Sequence, residues 1–214
     1  MKNIISFFVL ICSVAVVLTS CSKDEESTTD ATTTSKTTTT PSGSMTLGSY
    51  TVSGVYKSGC FTSGVSTLIA SGTFPSDVQS YGFVFVVTGD TEFTTETHSF
   101  TDTACTKSAS SYVSKLVRNN VTVGTASGAN YPVNYKKNGT KLTVNTTTSE
   151  TWVENLYSTL GLNVDMTVGT EKTLAGDGSS RYGLWTPGDT TIYLASESSS
   201  STPSTAGAIV YNKE

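Results

Sequence analysis

The pattern of apolar and polar positions divides the chain into three parts. An almost unbroken apolar run extends from Ile4 to Leu18, interrupted only by Ser6 and Ser13. Between Ser22 and Thr46 the chain is rich in Ser, Thr and charge, and it has no apolar period that could pack against a core. From Leu47 onwards apolar and polar residues often alternate, which is typical of half-buried β-strands. We therefore expect an export signal, a disordered linker and one folded domain.

The third part predicts mostly strands. Asn138-Gly139 lies between Tyr131–Tyr135 and Leu142–Val144, and it predicts a hairpin because both turn residues tolerate positive φ. A second hairpin is predicted around Thr186–Asp189. Tyr81–Val87 is apolar on both faces and predicts a central strand that is covered on each side. The other predicted strands are Tyr50–Lys57, Ser66–Gly72, Thr91–Phe100, Ser111–Arg118, Val121–Thr125, Met166–Leu174, Arg181–Trp185, Thr190–Leu194 and Ala208–Tyr211.

One segment, near residues 148–160, predicts a helix instead. Thr147 and Glu150 have the spacing of a capping box, with Thr147 as the N-cap. Apolar residues then recur at i, i+4 and i+8, which places them on one helical face: Trp152, Leu156 and Leu160. We expect this face to pack against the sheet as core. Eight or nine strands with one short helix predict an all-β fold, either a closed up-and-down barrel or a two-sheet sandwich.

The size and charge of residues 47–214 limit what this part can be. About 168 residues correspond to one domain with a core of its own. The whole chain has 13 basic and 17 acidic residues and a formal net charge of −4. Because no basic stripe accompanies this acidic balance, nucleic acid is excluded as an expected partner.

The cysteines indicate an oxidising compartment. Cys12 lies in the apolar run and Cys21 follows it, so the folded part contains only Cys60 and Cys105. In an exported protein such a pair is expected to form one structural disulfide, the alternative being two separate buried thiols. Neither cysteine belongs to a Cys-x-x-Cys redox motif.

The end of the apolar run resembles a known processing site. Leu18-Thr19-Ser20-Cys21 resembles the bacterial lipobox. This resemblance implies a signal peptide over residues 1–20, a lipidated Cys21 and a linker over residues 21–46. Several acyl chains on one cysteine would hold the protein stably at a membrane. Ser22 and the tract Lys23–Glu26 resemble sorting signals for the outer membrane and the cell surface, the periplasmic face being the alternative.

A second resemblance covers nearly the whole domain. The segments that carry it are Gly54–Phe61, Phe100–Cys105 and the closing Thr202–Thr205 followed by Tyr211 and Lys213. In this order they are similar to a group of bacterial lipoproteins that have a lipocalin-like β-barrel domain. The resemblance implies an antiparallel lipocalin-like barrel rather than the sandwich.

Motifs for catalysis and metal binding are missing from the sequence. The single histidine, His98, would share a strand face with Glu92 and Glu96, and we expect this face to be exposed and polar. No Gly-x-Ser-x-Gly, His-Glu-x-x-His or P-loop motif occurs. One histidine and no cysteine cluster exclude the usual zinc sites. We therefore expect neither a catalytic site nor a metal or cofactor.

Two functions remain as expectations. The first is a non-catalytic domain displayed on its linker for adhesion or for contact with a protein or extracellular matrix. The second is a lipocalin-like carrier or sensor of a small apolar ligand, with an enzyme as a more distant third. A ligand would bind among aromatic residues of the barrel interior, which could equally fill it. The candidate ligand-binding residues are Phe83, Phe85, Tyr131, Tyr135 and Trp185.

Overall fold

The computed structural model of the chain describes residues 39–214, and antiparallel strands make up most of this part. These residues contain eleven strands: β1 (Met45–Leu47), β2 (Tyr50–Val52), β3 (Val55–Lys57), β4 (Ser80–Gly89), β5 (Glu92–Phe100), β6 (Ser110–Val123), β7 (Tyr131–Val144), β8 (Glu171–Ala175), β9 (Ser180–Pro187), β10 (Thr191–Leu194) and β11 (Val210–Lys213). They also contain two α-helices, α1 (Val65–Ala70) and α2 (Thr147–Thr159), and a single 3-10 turn at Lys107–Ala109.

The main sheet closes on itself. Its strand order is β6-β5-β4-β3-β11-β10-β9-β7-β8, and a further pairing joins β6 to β7. Eight strands therefore form a closed antiparallel barrel, while β8 pairs with the second half of β7 as an extra strand. The predicted all-β, lipocalin-like barrel with a helix near residues 148–160 is confirmed. The β6–β7 pairing removes the free edges that the alternative sandwich would require.

Strand register identifies the inner face of the barrel. Residues that are directly paired across antiparallel strands point to the same face. Val87 pairs with Phe93 and Phe93 with Arg118, while Tyr135 pairs with Arg181. These positions share their face with the largest core cluster, which gathers side chains from β1 to β11: Met45, Leu47, Val52, Tyr56, Phe85, Val87, Phe93, Val121, Val133, Tyr135, Trp185, Ile192 and Tyr211.

The two ends of the barrel are closed by different elements. Met45, Leu47 and Val52 of the β1–β2 hairpin pack into the main cluster at one end. At the other end, Val153 and Tyr157 of α2 pack against the first residues of β6 and the last residues of β7. Helix α1 contributes to a third cluster with the segment that leads into β4. The first end is therefore closed by strands and the second by helices and loops.

The predicted hairpin at Asn138-Gly139 is wrong. β7 runs without interruption from Tyr131 to Val144. Neither residue has the positive φ that a two-residue hairpin turn requires. Arg118 pairs with Lys137 and Val117 with Gly139, so Asn138 is the extra residue of a β-bulge. Both edges of β7 are occupied, and these ladders outweigh the local turn preference.

The predicted strand at Ser66–Gly72 is also wrong, because this segment forms α1. Val65 and Leu68 have helical i, i+3 spacing, and both are buried in the cluster with Phe74. Gly64 and Gly72 adopt positive φ at the two ends of the helix, where glycine carries no steric penalty. Local β propensity is overridden by this packing.

The ends of several other strands differ by a few residues from the predicted ends. Gly54, with a φ of 88°, divides the predicted strand Tyr50–Lys57 into β2 and β3. The predicted strands Ser111–Arg118 and Val121–Thr125 join into β6, with an irregularity at Asn119–Asn120. Strand β8 begins only at Glu171, and β11 covers Val210–Lys213. The predicted hairpin around Thr186–Asp189 forms from β9 and β10, and the strands predicted at Tyr81–Val87 and Thr91–Phe100 pair with each other as β4 and β5.

Helix α2 begins one residue earlier than its sequence indicates. Thr146 is the N-cap: its Oγ1 accepts a hydrogen bond from the Ser149 backbone N–H at 3.1 Å. The predicted capping box of Thr147 and Glu150 is therefore wrong by one residue. The Thr146 hydroxyl donates to Asp77 Oδ2 at 2.7 Å, and the Ser111 hydroxyl donates to Asp77 Oδ1 at 2.9 Å. This tertiary link selects Thr146 from three consecutive threonines.

The register of α2 changes which of its residues are buried. The buried face consists of Ser149, Val153 and Tyr157. From the predicted stripe, Trp152 and Leu160 flank this face, whereas Leu156 does not belong to the cluster. The helix packs against the sheet as expected, but through a face that is rotated from the predicted one.

Candidate functional site

The five candidate ligand-binding residues come together inside the barrel. Phe85, Tyr135 and Trp185 are buried members of the main cluster, and Phe83 and Tyr131 pack against it. They lie on β4, β7 and β9, where alternate positions face inward. Trp185 is 2% exposed and Phe85 is fully buried.

Aromatic rings pack closely in this part of the interior. Phe93 lies between Tyr135 and Trp185, and its ring centroid is 5.0 Å from each of them in edge-to-face geometry. The Phe85 and Trp185 centroids are 5.3 Å apart in the same arrangement. Such pairs stabilise a core by about 0.5–1.5 kcal/mol each beyond the area that they bury. The chain's own side chains therefore fill this half of the barrel, which we call the aromatic half.

Beyond the aromatic half, the inward-facing residues of the barrel are less buried. Phe83 pairs with Thr97, and Phe85 with Thr95. Thr95 in turn pairs with Leu116, so these residues share the inner face. Phe83, Thr95, Thr97 and Leu116 are only half-buried. Solvent therefore reaches the inner face between the aromatic half and α2.

Two buried arginines lie where these two parts meet. Arg118 on β6 is 2% exposed and Arg181 on β9 is 5% exposed. The Arg118 Nε–H donates to Glu197 Oε2 at 2.8 Å, and the Arg181 Nε lies 3.0 Å from Glu197 Oε1 as an ion pair. The segment after β10 carries Glu197, and Ser198 pairs with Tyr182 of β9 beside it. One carboxylate thus bridges two guanidinium groups inside the barrel.

A third cation lies beside this pair. The Lys137 Nζ is 3.7 Å from Asp177 Oδ2, and the Lys137 side chain is 22% exposed. Burial lowers the pKa of Lys137, and repulsion from Arg181 lowers it further. Hydrogen bonding from Ser179 lowers the pKa of Asp177 to about 2, so its carboxylate stays charged.

The ionic cluster was not predicted, although one sequence signal points to it. Arg181 lies two residues before Gly183 and four before Trp185, in phase with inward positions of β9. Arg118 likewise follows Leu116 by two residues on β6. A charged residue in phase with an apolar strand face is a signal for a buried ion pair.

The strand face of His98 is not the exposed polar surface that we expected. His98 is 5% exposed and Glu96 is 1% exposed, with His98 Nε2 and Glu96 Oε2 2.6 Å apart. The Thr39 hydroxyl also donates to Glu96 Oε1. The backbone N–H of Ser42 donates to the Val87 carbonyl at 2.9 Å. Residues before β1 therefore contact the outside of the barrel, which strand periodicity alone could not indicate.

The predicted disulfide is present between Cys60 and Cys105, whose Cα atoms are 5.9 Å apart. Cys60 follows β3 and Cys105 follows β5, so the bond ties two connections at the helical end of the barrel. Cys105 adopts a positive φ of 53° and is 1% exposed. The alternative of two free thiols does not apply.

An open groove separates the two helices. It has a volume of about 550 Å³ and lies between Ile69 and Phe74 on one side and Trp152 and Thr148 on the other. The Trp152 indole N–H donates to the Gly72 carbonyl at 3.2 Å across it. The groove is thus bridged by one hydrogen bond between α2 and the end of α1.

Other predicted features lie outside the described residues. Cys21, the signal peptide over residues 1–20 and the tract Lys23–Glu26 all precede Thr39. No group of three or more His, Cys, Asp or Glu side chains within residues 39–214 is arranged to hold a metal ion. In the same range, no helix has the length and apolar character needed to cross a bilayer.

The geometry defines the class of this domain as a closed, eight-stranded antiparallel barrel whose aromatic half is filled by its own side chains. No protein-family model matches this chain. No curated protein matches it either.

Proposed function

We propose that this chain is a membrane-anchored lipoprotein that displays a non-catalytic β-barrel on a linker for contact with another protein or with extracellular matrix. The observation that carries this proposal is the packing of the aromatic half. Phe85, Phe93 and Trp185 are at most 3% exposed and contact one another edge to face or tilted. Because these rings fill the aromatic half of the interior, that half leaves no space for an apolar ligand, and contact with a macromolecular partner is assigned to the outside of the domain.

The anchor supports display rather than free diffusion. A lipobox-like Cys21 follows an apolar run of signal-peptide length, and a Ser/Thr-rich linker separates it from the barrel. Linker residues without apolar periodicity do not fix the orientation of a domain. The Ser22 position and the acidic tract favour the outer membrane and its external face.

The non-catalytic part of the proposal has its own support. The only histidine of the chain is 5% exposed and hydrogen-bonded to Glu96. A catalytic base must reach the proton that it removes from a substrate. An enclosed His98 fits a structural pair on the outer face of β5 better than this role.

The anchor is tested by breaking the cells and separating their membranes from the soluble proteins. The full chain is expected in the membrane pellet, and Cys21→Ala protein is expected in the soluble fraction because it cannot be acylated. Cys12→Ala, which removes the other cysteine of the first twenty-one residues, is the matched control and should remain in the pellet. Recovery of Cys21→Ala protein in the pellet would refute the lipid anchor.

Protease treatment of whole cells tests display. Cleavage of the linker by external protease, with a periplasmic marker protein left intact, is the expected result. Protection of the linker in intact cells, and cleavage only after the outer membrane is opened, would place the domain on the periplasmic face.

A further inference from the structure

The chain has only two arginines, and both converge on one carboxylate. All eleven other basic residues are lysines. Arg118 and Arg181 come from different strands, and their side chains are only 3% and 6% exposed. Arginine differs from lysine because its planar fork of N–H groups matches the two oxygens of an oxyanion. The residue type that is best suited to oxyanions is thus confined to one place inside the barrel.

Positive charge exceeds negative charge at this place. The cluster combines Arg118, Arg181 and Lys137 with Glu197 and Asp177. Asp177 is 56% exposed and lies 3.7 Å from Lys137, so water weakens its contribution. Burying an uncompensated charge is costly, and the arginines remain charged at any ordinary pH. An additional anion would therefore be favoured here.

Each guanidinium also has unused donors. The Arg118 Nη1 donates to the Val117 carbonyl at 3.2 Å, and the Arg181 Nη1 donates to the Ser180 carbonyl at 2.8 Å. Within residues 39–214, neither Nη2 atom makes a hydrogen bond. No fully buried side-chain nitrogen or oxygen in that range lacks a partner, so both Nη2 atoms are in contact with solvent. Two side chains that are more than nine-tenths buried therefore keep donors that no protein acceptor occupies.

We propose that Arg118 and Arg181 form a binding site for the oxyanion group of a small organic molecule, a carboxylate in the first instance, beside Glu197 inside the barrel. On β6, Leu116 is the inward-facing residue next to Arg118, and on β5, Thr95 is the inward-facing residue next to Phe93. Both are half-buried, and Phe83 lies further along the same face. They would contact the body of the ligand while the guanidinium groups hold its charge. This inference goes beyond display of the domain, and it does not depend on the lipid anchor.

Arginine NMR on the full chain in detergent tests the site directly. Selective ¹⁵N labelling of arginine gives two Nε–H resonances, because the chain has two arginines. Sodium benzoate is expected to shift both resonances with saturating dose dependence, whereas neutral benzamide at equal concentration should not. A titration with sodium sulfate at matched ionic strength shows whether the site binds an inorganic oxyanion as well as an organic carboxylate. Saturating shifts with either anion support the site.

Substitution of Glu197 sharpens the test. Glu197→Gln removes the charge that competes for the two guanidinium groups, so benzoate should bind at least tenfold more tightly than to the unmodified chain. Arg118→Gln/Glu197→Gln and Arg181→Gln/Glu197→Gln preserve the net charge of the cluster and should lose binding. If a variant does not fold, the titration of the unmodified chain still decides the question. Absence of saturating shifts with both benzoate and sulfate, equal shifts with benzamide, or retained binding in the double variants would overturn the proposal.

Discussion

The two ends of the barrel reach stability in different ways. At the aromatic half, strands from around the barrel place large rings in one cluster with the β1–β2 hairpin. At the helical end there are two smaller clusters, one around Tyr112 and Tyr157 and one around Leu68 and Phe74. The Asp77 contacts and the indole hydrogen bond of Trp152 join these two clusters, and the Cys60–Cys105 disulfide ties two connections at the same end.

This difference shows what each kind of closure needs from the sequence. Alternation along long strands is enough to bring the aromatic side chains together, because every second residue faces inward. Helices and loops at the other end have no such constraint, so individual polar or covalent contacts hold them in place. We therefore expect the aromatic half to be sensitive to side-chain volume and the helical end to be sensitive to loss of particular links.

The largest effect is expected from Trp185, with Trp152 as the comparison at the other end. Trp185→Ala should lower the free energy of unfolding by about 3–5 kcal/mol, because the site is 2% exposed and enclosed by rings. Trp152→Ala at the half-buried position on α2 should cost less than half as much. Urea unfolding of both variants measures the difference. Equal losses would mean that the two ends do not differ as described.

Loss of the disulfide should be the next largest effect. The bond closes a separation of 45 residues, for which the chain-entropy model gives about 4 kcal/mol. Cys60→Ala/Cys105→Ala should therefore be strongly destabilised, and reduction of the unmodified chain should lower the thermal midpoint similarly. A midpoint that is unchanged by reductant would show that the helical end does not depend on this link.

Alkaline pH should weaken the helical end through its buried tyrosines. Burial raises the pKa of Tyr112 to about 12 and raises the pKa of Tyr157 as well. In the unfolded chain both ionise near pH 10. Stability should therefore be complete below about pH 10 and fall as pH rises toward 12, by about 1.4 kcal/mol per pH unit for each such tyrosine.

Tyr112→Phe tests this origin of the pH dependence. This substitution should flatten the decline in the free energy of unfolding between pH 10 and 12. Tyr193→Phe, at a half-exposed position on β10, is the matched control and should retain the decline of the unmodified chain. Urea unfolding at each pH provides the measurement. An unchanged slope in Tyr112→Phe would assign the alkaline sensitivity to other groups.

The smallest effect concerns the cap of α2. Thr146→Ala should cost about 1 kcal/mol, because it removes the side-chain acceptor for the Ser149 N–H and the contact with Asp77. Thr147→Ala should cost much less, since Thr147 is the exposed first residue of the helix. A larger loss in Thr147→Ala would favour the capping box that the sequence predicted over the one in the structure.

Much of the fold could be predicted because β-strand and helix periodicity are local signals. The strands β4, β5, β9 and β10 and the helix after β7 follow from such signals, whereas the pairing of Cys60 with Cys105 follows from the number of cysteines in the folded part. The failures occurred where partners distant in sequence decide the outcome. Asn138-Gly139 has a strong local turn preference, but two neighbouring strands hold it within β7.

The candidate site could be predicted only in part. Five aromatic residues were expected in the barrel interior, and they lie there together. Arg118, Arg181 and Glu197 were not foreseen as a group, because 79 residues separate Arg118 from Glu197 and no local pattern relates them. The enclosure of Glu96 and His98 was missed for a similar reason, because Thr39, which contacts Glu96, lies 57 residues away from it in the sequence.

The sequence by itself determined that residues 47–214 form mainly strands and that a capped helix lies near residues 148–160, because alternation, turn residues and capping residues act over a few positions. It also determined that two cysteines would be available for one disulfide. Only the tertiary structure decided that β6 pairs with β7 to close the barrel, that Asn138 becomes a bulge and that two arginines meet one carboxylate inside. These outcomes depend on contacts between segments far apart in the chain, where the free energy of packing and pairing exceeds local preference.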